Sequence, residues 1–260
     1  MEINYAKSKE SYGTRGGDHN NIRYIDLLHS CDLTSRMLAY VKELLDPVDS
    51  VSKSGLSLPF RSRYAHTERV ICQALRICEK ESGDAGIIAV AAIFHDCGYS
   101  NGGENHASES ARLFASYARQ YLTARADWTG AETKNLRADL AAAINAAVTS
   151  AESLDAIYNV IAVHSDKHLL DNALCTEAKI LMDADLLDEE GAMAVVFDCF
   201  IEADLPVFDY ESAFERISAR YTAWADDINR FHTDEGMRRF IKMREYVGAF
   251  VSGLREELCR

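Results

Sequence analysis

The stretch Ala89-Val-Ala-Ala-Ile-Phe-His-Asp-Cys-Gly-Tyr99 decides how the rest of this chain is read. Residues 87–94 are apolar on every side of a helix, so this element should be buried all round. His95 and Asp96, two of the costliest side chains to bury, arrive together at its end. Gly98 follows as a natural helix stop. A buried carboxylate needs a cation, a metal or several hydrogen-bond donors. Adjacent residues on a helix project about 100° apart, which suits two neighbouring positions around one octahedral ion. The dipeptide alone reads more simply as a polar helix terminus that happens to hold a His and an Asp; the rest of the chain changes that reading.

The spacing on both sides extends the pattern. A helix is expected from about Arg63 to Lys80, where His66, Val70, Ala74 and Ile77 share a face. His66 is therefore inward, as a ligand or as a hydrogen-bonded core residue, with Arg69 at the edge of that face. Residues 84–97 read as the central helix. The turn-rich loop from Tyr99 to Asn105 opens a helix to about Leu122, with His106 in its first turn. Free backbone N–H groups there can hold an anion, although a solvent-facing His near an N-cap fits the position equally well. An Ala-rich helix over 131–149 is followed by one from Ser153 to His164, where Ile157, Val160, Ile161 and His164 share a face. His164 is inward, as a site residue or as a core His at a helix C-terminus. Lys167 and His168 fall outside the regular pattern.

In the segment 175–189, Asp183 and Asp185 lie about 200° apart on a helix, so one site recruits only one of them easily. Asp183 has Lys179 four residues earlier and reads as an outer-face ion pair. Asp185 has Leu181 and Met182 as its preceding-turn neighbours and reads as the inward carboxylate. His66, His95, Asp96 and Asp185 thus come from three helices and make a mixed N/O set suited to Mn, Fe, Ni or Zn.

Composition narrows the class. A chain of 260 residues fits one large domain or a core with an appendage. Basic residues number 28 and acidic residues 41, a net charge of −13. That argues against a nucleic-acid polymer or an anionic membrane as partner, since both need clustered Lys and Arg. The seven scattered Cys form no C-x-x-C pair, and Cys72, Cys78, Cys97 and Cys199 sit in apolar runs. They read as reduced, buried thiols of a cytoplasmic protein. The N-terminus MEINYAKSKE lacks the apolar core of a leader, and no run approaches membrane-spanning length. With three Pro and little β-branched alternation, the fold class is all-α.

Residues 1–20 read as a flexible N-terminal tail, 32–46 as a helix and 48–62 as a loop. The domain expected to hold the metal spans 21–205. Beyond Pro206, Phe214, Ile217, Tyr221, Trp224, Ile228 and Phe231 recur at helical spacing. After a turn near His232–Gly236, Met237, Phe240, Met243, Val247, Phe250 and Leu254 do the same. Residues 206–260 therefore read as a long αα-hairpin with a coiled-coil-like seam, packed on the core or serving as a homodimer surface.

Four segments carry a family resemblance: His66-Thr-Glu-Arg-Val70, Ile93-Phe-His-Asp-Cys-Gly-Tyr99, Asn105-His-Ala-Ser-Glu-Ser-Ala111 and Ile180-Leu-Met-Asp-Ala-Asp-Leu-Leu-Asp188. In this order they resemble the HD superfamily of metal-dependent phosphohydrolases, over roughly residues 60–190. The resemblance implies an HD-domain-like helical bundle whose metal is held by His66, His95, Asp96 and Asp185. It implies one or two divalent ions, of Mn, Fe, Ni, Co, Mg or Zn. Catalytic roles fall to Asp96, His106 and His164, and substrate contacts to Arg69, His106 and His164. The implied activity is hydrolysis of a phosphoester or phosphoanhydride of a small molecule, such as a nucleotide, by metal-activated water. Tyr99 stands where the cyclic-di-nucleotide phosphodiesterase branch has Lys, which argues against that activity. Two other functions fit the same residues. One is a di-iron oxygenase, which a minority of the superfamily builds from the order His66, His95-Asp96, His106, His164, Asp185. The other is a binding or regulatory module stabilised by the metal.

Overall fold

The computed structural model describes residues 24–48, 62–122, 138–166, 174–188, 190–203, 209–223 and 230–259. Among these the structure is all-α. The expected tail at 1–20, most of the loop at 48–62, and Lys167 and His168 lie outside the described residues. The described residues form eleven α-helices, in order: α1 Tyr24–Ser30, α2 Asp32–Leu45, α3 Arg63–Cys78, α4 Ala85–Phe94, α5 His106–Tyr117, α6 Ala138–Thr149, α7 Ala151–Val163, α8 Thr176–Asp188, α9 Ala192–Ala203, α10 Tyr210–Ala223 and α11 Asp234–Glu257. A 3₁₀ turn, Cys97–Asn101, joins α4 to α5, and α5 runs into a π turn at Ala118–Leu122.

Helix α4 is the hub. Asp84 caps it, accepting from the Gly86 and Ile87 N–H groups. Every residue from Ile88 to Phe94 is fully buried. Helices α2, α3, α5, α6, α7 and α8 all pack against it. At its C-terminal end the Phe94 ring meets Phe114 edge-on, centroids 5.3 Å apart, and leans on Tyr117 at 5.2 Å. Helix α4 ends three residues earlier than expected. His95 is its C-cap, and Asp96 already has the bridge conformation, φ −106° and ψ 0°.

Gly98 therefore does not stop the helix. It sits inside the 3₁₀ turn, pressed against α5. A Cβ there would fall 2.2 Å from the His106 carbonyl oxygen and 2.6 Å from the Ser110 nitrogen. The Gly98 N–H donates to Ser110 Oγ at 2.8 Å. Close backbone approach is what requires the glycine.

The reading of the cysteines holds only in part. All seven are free, but Cys97 is the buried one, and Cys199 is exposed on α9. An apolar run on an amphipathic surface helix leaves some of its members facing water.

Beyond α8, helices α9, α10 and α11 pack on one another, and α11 also packs on α8. Phe214, Ile217, Phe240, Val247 and Val251 are buried, while Phe250 is largely exposed. The inward stripe of α11 thus passes through Val251 where Phe250 was expected. Trp224 and Ile228 lie outside the described residues. No described helix is long and apolar enough to cross a membrane.

Candidate metal centre

Five elements aim side chains at one point. Helix α3 brings His66, the end of α4 brings His95 and Asp96, the start of α5 brings His106, the end of α7 brings His164, and α8 brings Asp185. His66, His95, Asp96 and His164 are buried, and His106 and Asp185 are partly exposed.

The carboxylates and rings form two triads. In one, ligand atoms of His66, His95 and Asp185 lie within 4.8 Å of each other; in the other, those of Asp96, His106 and His164 do. Asp96 stands between them. Its Oδ2 faces His66 Nε2 at 3.4 Å. Its Oδ1 faces His106 Nε2 at 3.7 Å, His164 Nε2 at 3.6 Å and His95 Nε2 at 3.7 Å. Asp185 Oδ1 is 3.2 Å from His66 Nε2 and 4.0 Å from His95 Nε2. Atoms bound to one ion at about 2.0–2.3 Å are separated by comparable distances.

The ring orientations fit a divalent cation. His95 Nδ1–H donates to the Ala92 carbonyl at 2.8 Å, and His164 Nδ1–H to the Ile161 carbonyl at 2.7 Å. A carbonyl only accepts, so Nδ1 of each ring carries a proton and Nε2 is the nitrogen that points into the cluster, where it can offer a lone pair to a cation. His66 Nδ1–H donates to Asp188 Oδ2 at 2.7 Å. His66 Nε2 and His95 Nε2 then stand only 3.4 Å apart, an arrangement that needs a proton or a metal between them. Among the described residues, the buried His164 Nε2 has no hydrogen-bond partner. A buried imidazole nitrogen facing a carboxylate at 3.6 Å with no hydrogen-bond partner has the chemistry of a metal ligand.

The electrostatics agree. Burial opposes charge on His66, but Asp185, Asp188 and Asp96 outweigh it and hold its pKa well above the ordinary value. Burial pushes His95 down to about 4. Burial also opposes ionisation of Asp96, yet His95, His164 and His66 outweigh it and keep the carboxyl well below its usual range. Burial lowers His106 as well.

The structure thus gathers every residue expected at the site except Arg69. The Arg69 guanidinium is occupied by Asp188, Nε to Oδ1 at 2.6 Å and Nη2 to Oδ2 at 2.9 Å. It backs His66 through Asp188. Asp183 corrects the expected outer-face pair with Lys179. It is fully buried and accepts from the Thr233 hydroxyl at 2.6 Å, the Thr233 N–H at 2.8 Å and the His232 N–H at 2.9 Å. The face of α8 opposite the site is covered by the segment leading into α11, which a local i,i+4 reading cannot see.

Three neighbours of the site were given no role by sequence reasoning. Asp188 lies one turn after Asp185. Arg63 lies one turn before His66. Tyr99 stacks on His106, with ring centroids 4.3 Å apart. The i,i+3 offsets from His66 and Asp185 were the available signal for the first two.

The family model for the HD domain matches residues 63–190. No curated protein matches the chain. Among solved structures it is similar to YpgQ of Bacillus subtilis, at 18% identity over 86% of this chain and 94% of that one, with a TM-score of 0.53. YpgQ in complex with ADP is similar at 18% identity and a TM-score of 0.51, over 86% and 93% of the two chains. A predicted HD superfamily hydrolase from an uncultured Thermotogales bacterium shares 21% identity over 80% and 97%, with a TM-score of 0.46. With the matched span holding the ordered His66, His95-Asp96 and Asp185 on an all-helical core, residues 63–190 of this chain are an HD domain.

Proposed function

We propose that the protein is a metal-dependent phosphohydrolase acting on a small phosphorylated molecule. The observation that carries this reading is the pair of His/Asp triads joined by Asp96. His66, His95 and Asp185 would hold one divalent ion and His106 and His164 would hold a second, with Asp96 facing both sets. Bound ions supply a Lewis acid for phosphate oxygens and lower the pKa of a water molecule at neutral pH.

The chain's own residues set the stage for that chemistry. Fixed Nδ1–H donors hold His95 and His164 in one tautomer, and Asp188 holds His66, so the ligand atoms are aimed before any substrate arrives. The apolar end of α4 keeps the inner side of the site dry, which strengthens each charge–charge interaction. His106 is the more exposed histidine of the second triad, so the site opens on its side. The net negative charge of the chain disfavours polyanions, so small substrates fit best. A protein of the same fold, YpgQ, has been captured with ADP, which puts nucleotides at the head of the candidates.

The test is a panel of nucleotides, sugar phosphates and model phosphoesters on metal-defined protein, with and without oxygen. Release of phosphate or pyrophosphate that persists without oxygen and stops with a chelator is expected. Turnover that requires both iron and O₂ would move the assignment to the oxygenase branch, whose residue order the second triad also satisfies. A fully loaded site that turns over nothing would make the protein a binding module.

A further inference from the structure

We propose that Arg63 is the anion clamp of this site, taking an oxygen of the substrate's phosphate beside Asp96 while its guanidinium rests on the Tyr99 ring; the proposal builds on the phosphohydrolase reading above. Arg63 is the first residue of α3, one turn before His66. Its side chain is only 14% exposed. The guanidinium carbon lies 3.7 Å from the centroid of the Tyr99 ring, a stacking contact that fixes the plane of the fork.

That fork is under-used. Nη1 reaches Asp96 Oδ2 at 3.5 Å, the outer limit of a hydrogen bond. Nε is buried and has no partner among the described residues. A guanidinium carries five N–H donors, and a largely buried one is ordinarily well satisfied. Arg69, on the other flank of His66, is committed to Asp188 by two short bonds.

Metal binding sharpens the imbalance. Asp96 Oδ2, the oxygen nearest Arg63, also faces His66 Nε2 at 3.4 Å. Once cations share the Asp96 charge, Arg63 is a positive group beside positive ions, on a fixed shelf, with donors to spare. An anion bridging the fork and the metals resolves this. A phosphate is the right class, because its tetrahedral oxygens can meet a guanidinium and a metal at once. Tyr99 lies between Arg63 and His106, at 3.7 Å and 4.3 Å, so one ring orients a residue on each side of Asp96.

The test is calorimetric titration of inorganic phosphate into metal-loaded wild type, Arg63→Gln, Arg63→Lys and Tyr99→Leu, alongside metal affinity of each apo protein. Arg63→Gln should weaken phosphate binding about tenfold or more. It should leave metal affinity unchanged or tighter, since a nearby positive charge is removed. Arg63→Lys keeps the charge without the fork and should fall between. Tyr99→Leu should weaken phosphate binding severalfold with metal affinity kept. If Arg63→Gln fails to fold, the Lys and Tyr99 variants carry the same comparison. Equal phosphate affinity in all four proteins would overturn the clamp, as would a metal-loaded wild type that binds no phosphate. A loss of metal affinity in Arg63→Gln would overturn it too, because Arg63 would then merely hold Asp96 in place. Wild-type turnover separates this from the parent reading. Phosphate held through Arg63 without hydrolysis of any ester removes the hydrolase and keeps the clamp. Hydrolysis with unchanged phosphate affinity and KM in Arg63→Gln removes the clamp alone.

Discussion

Arg69 and Asp188 make a two-pronged ion pair, and the same Asp188 carboxylate receives the Nδ1–H of His66 at 2.7 Å. The chain of contacts runs Arg69 to Asp188 to His66 to the metal position. A carboxylate behind a ligating imidazole fixes its tautomer and raises its basicity. Asp188→Asn should therefore weaken metal binding about 10–100-fold, measured by competition with a chromophoric chelator, while the helical content stays unchanged. Arg69→Met should produce a smaller loss in the same direction. Unaltered metal affinity in Asp188→Asn would remove the relay.

The pH response of the metal-free protein follows from the same pair. The pKa of His66 is raised, so its contribution to stability is full below the unfolded value and is lost as pH rises through the folded one. Burial opposes ionisation of Asp188, but His66 and Arg69 outweigh it and lower its pKa. Its contribution is full above the unfolded value and is lost as pH falls through the folded one. The pair therefore stabilises the apo protein most in mildly acidic solution, between the ordinary carboxylate and imidazole values. A divalent ion must displace the His66 Nε2 proton in that range, so metal affinity should rise with pH. Calorimetry in buffers of different ionisation enthalpy should show proton release on metal binding, and Asp188→Asn should reduce it.

Asp183 and Asp185 should behave oppositely when replaced. Asp185→Ala removes a proposed ligand of the His66–His95 triad and should strip or severely weaken the metal. Asp183→Ala leaves the part-buried His232 N–H and the buried Thr233 N–H without their acceptor, at about 1–3 kcal/mol for a buried unsatisfied donor. It should lower the melting temperature by several degrees and leave metal content intact. Metal analysis and thermal melts on the two variants decide the matter, and the reverse pattern would contradict the face assignment of α8.

His106→Ala and His164→Ala probe the second triad. Each should cut phosphoester turnover by about 10²-fold while metal analysis still finds an ion at the His66–His95–Asp185 end. A wild type that binds two equivalents and variants that bind one would fit two ions sharing Asp96. Complete metal loss in both variants would tie all six residues to a single ion.

The legible part of this chain was the part with a strong local signal. The apolar run before His95, the placement of His66 with Val70, Ala74 and Ile77, and the inward face of His164 were open to a helical-period reading, and the structure puts all three rings in one buried cluster. Asp185 was also readable, from its apolar preceding turn. Long-range cover was not readable. Asp183 looked exposed because Lys179 was its visible neighbour, whereas its partners are His232 and Thr233, about 50 residues away. Gly98 looked like a cap because helix caps are local, whereas it answers to the backbone of α5. Arg69 looked free because Asp188 arrives from another helix, and Arg63 lies at a helix start where no apolar neighbour marks it. Helices α1 and α9 were not anticipated.

The complete burial of α4 has a consequence for how such a centre can diversify. From Ile88 to Phe94 no side chain touches solvent, so nearly any substitution there changes the packing of several other helices at once. The His95–Asp96 doublet is thus the anchored end of the site. Its chemistry can be retuned only from the periphery, at His106 beside its glycine-bearing loop, at Asp185 on the open side, or at Arg63 and Tyr99. A redesign for another metal or another leaving group would do well to hold α4 constant and vary those four positions, because they alter the ligand field and the entrance without reopening the core.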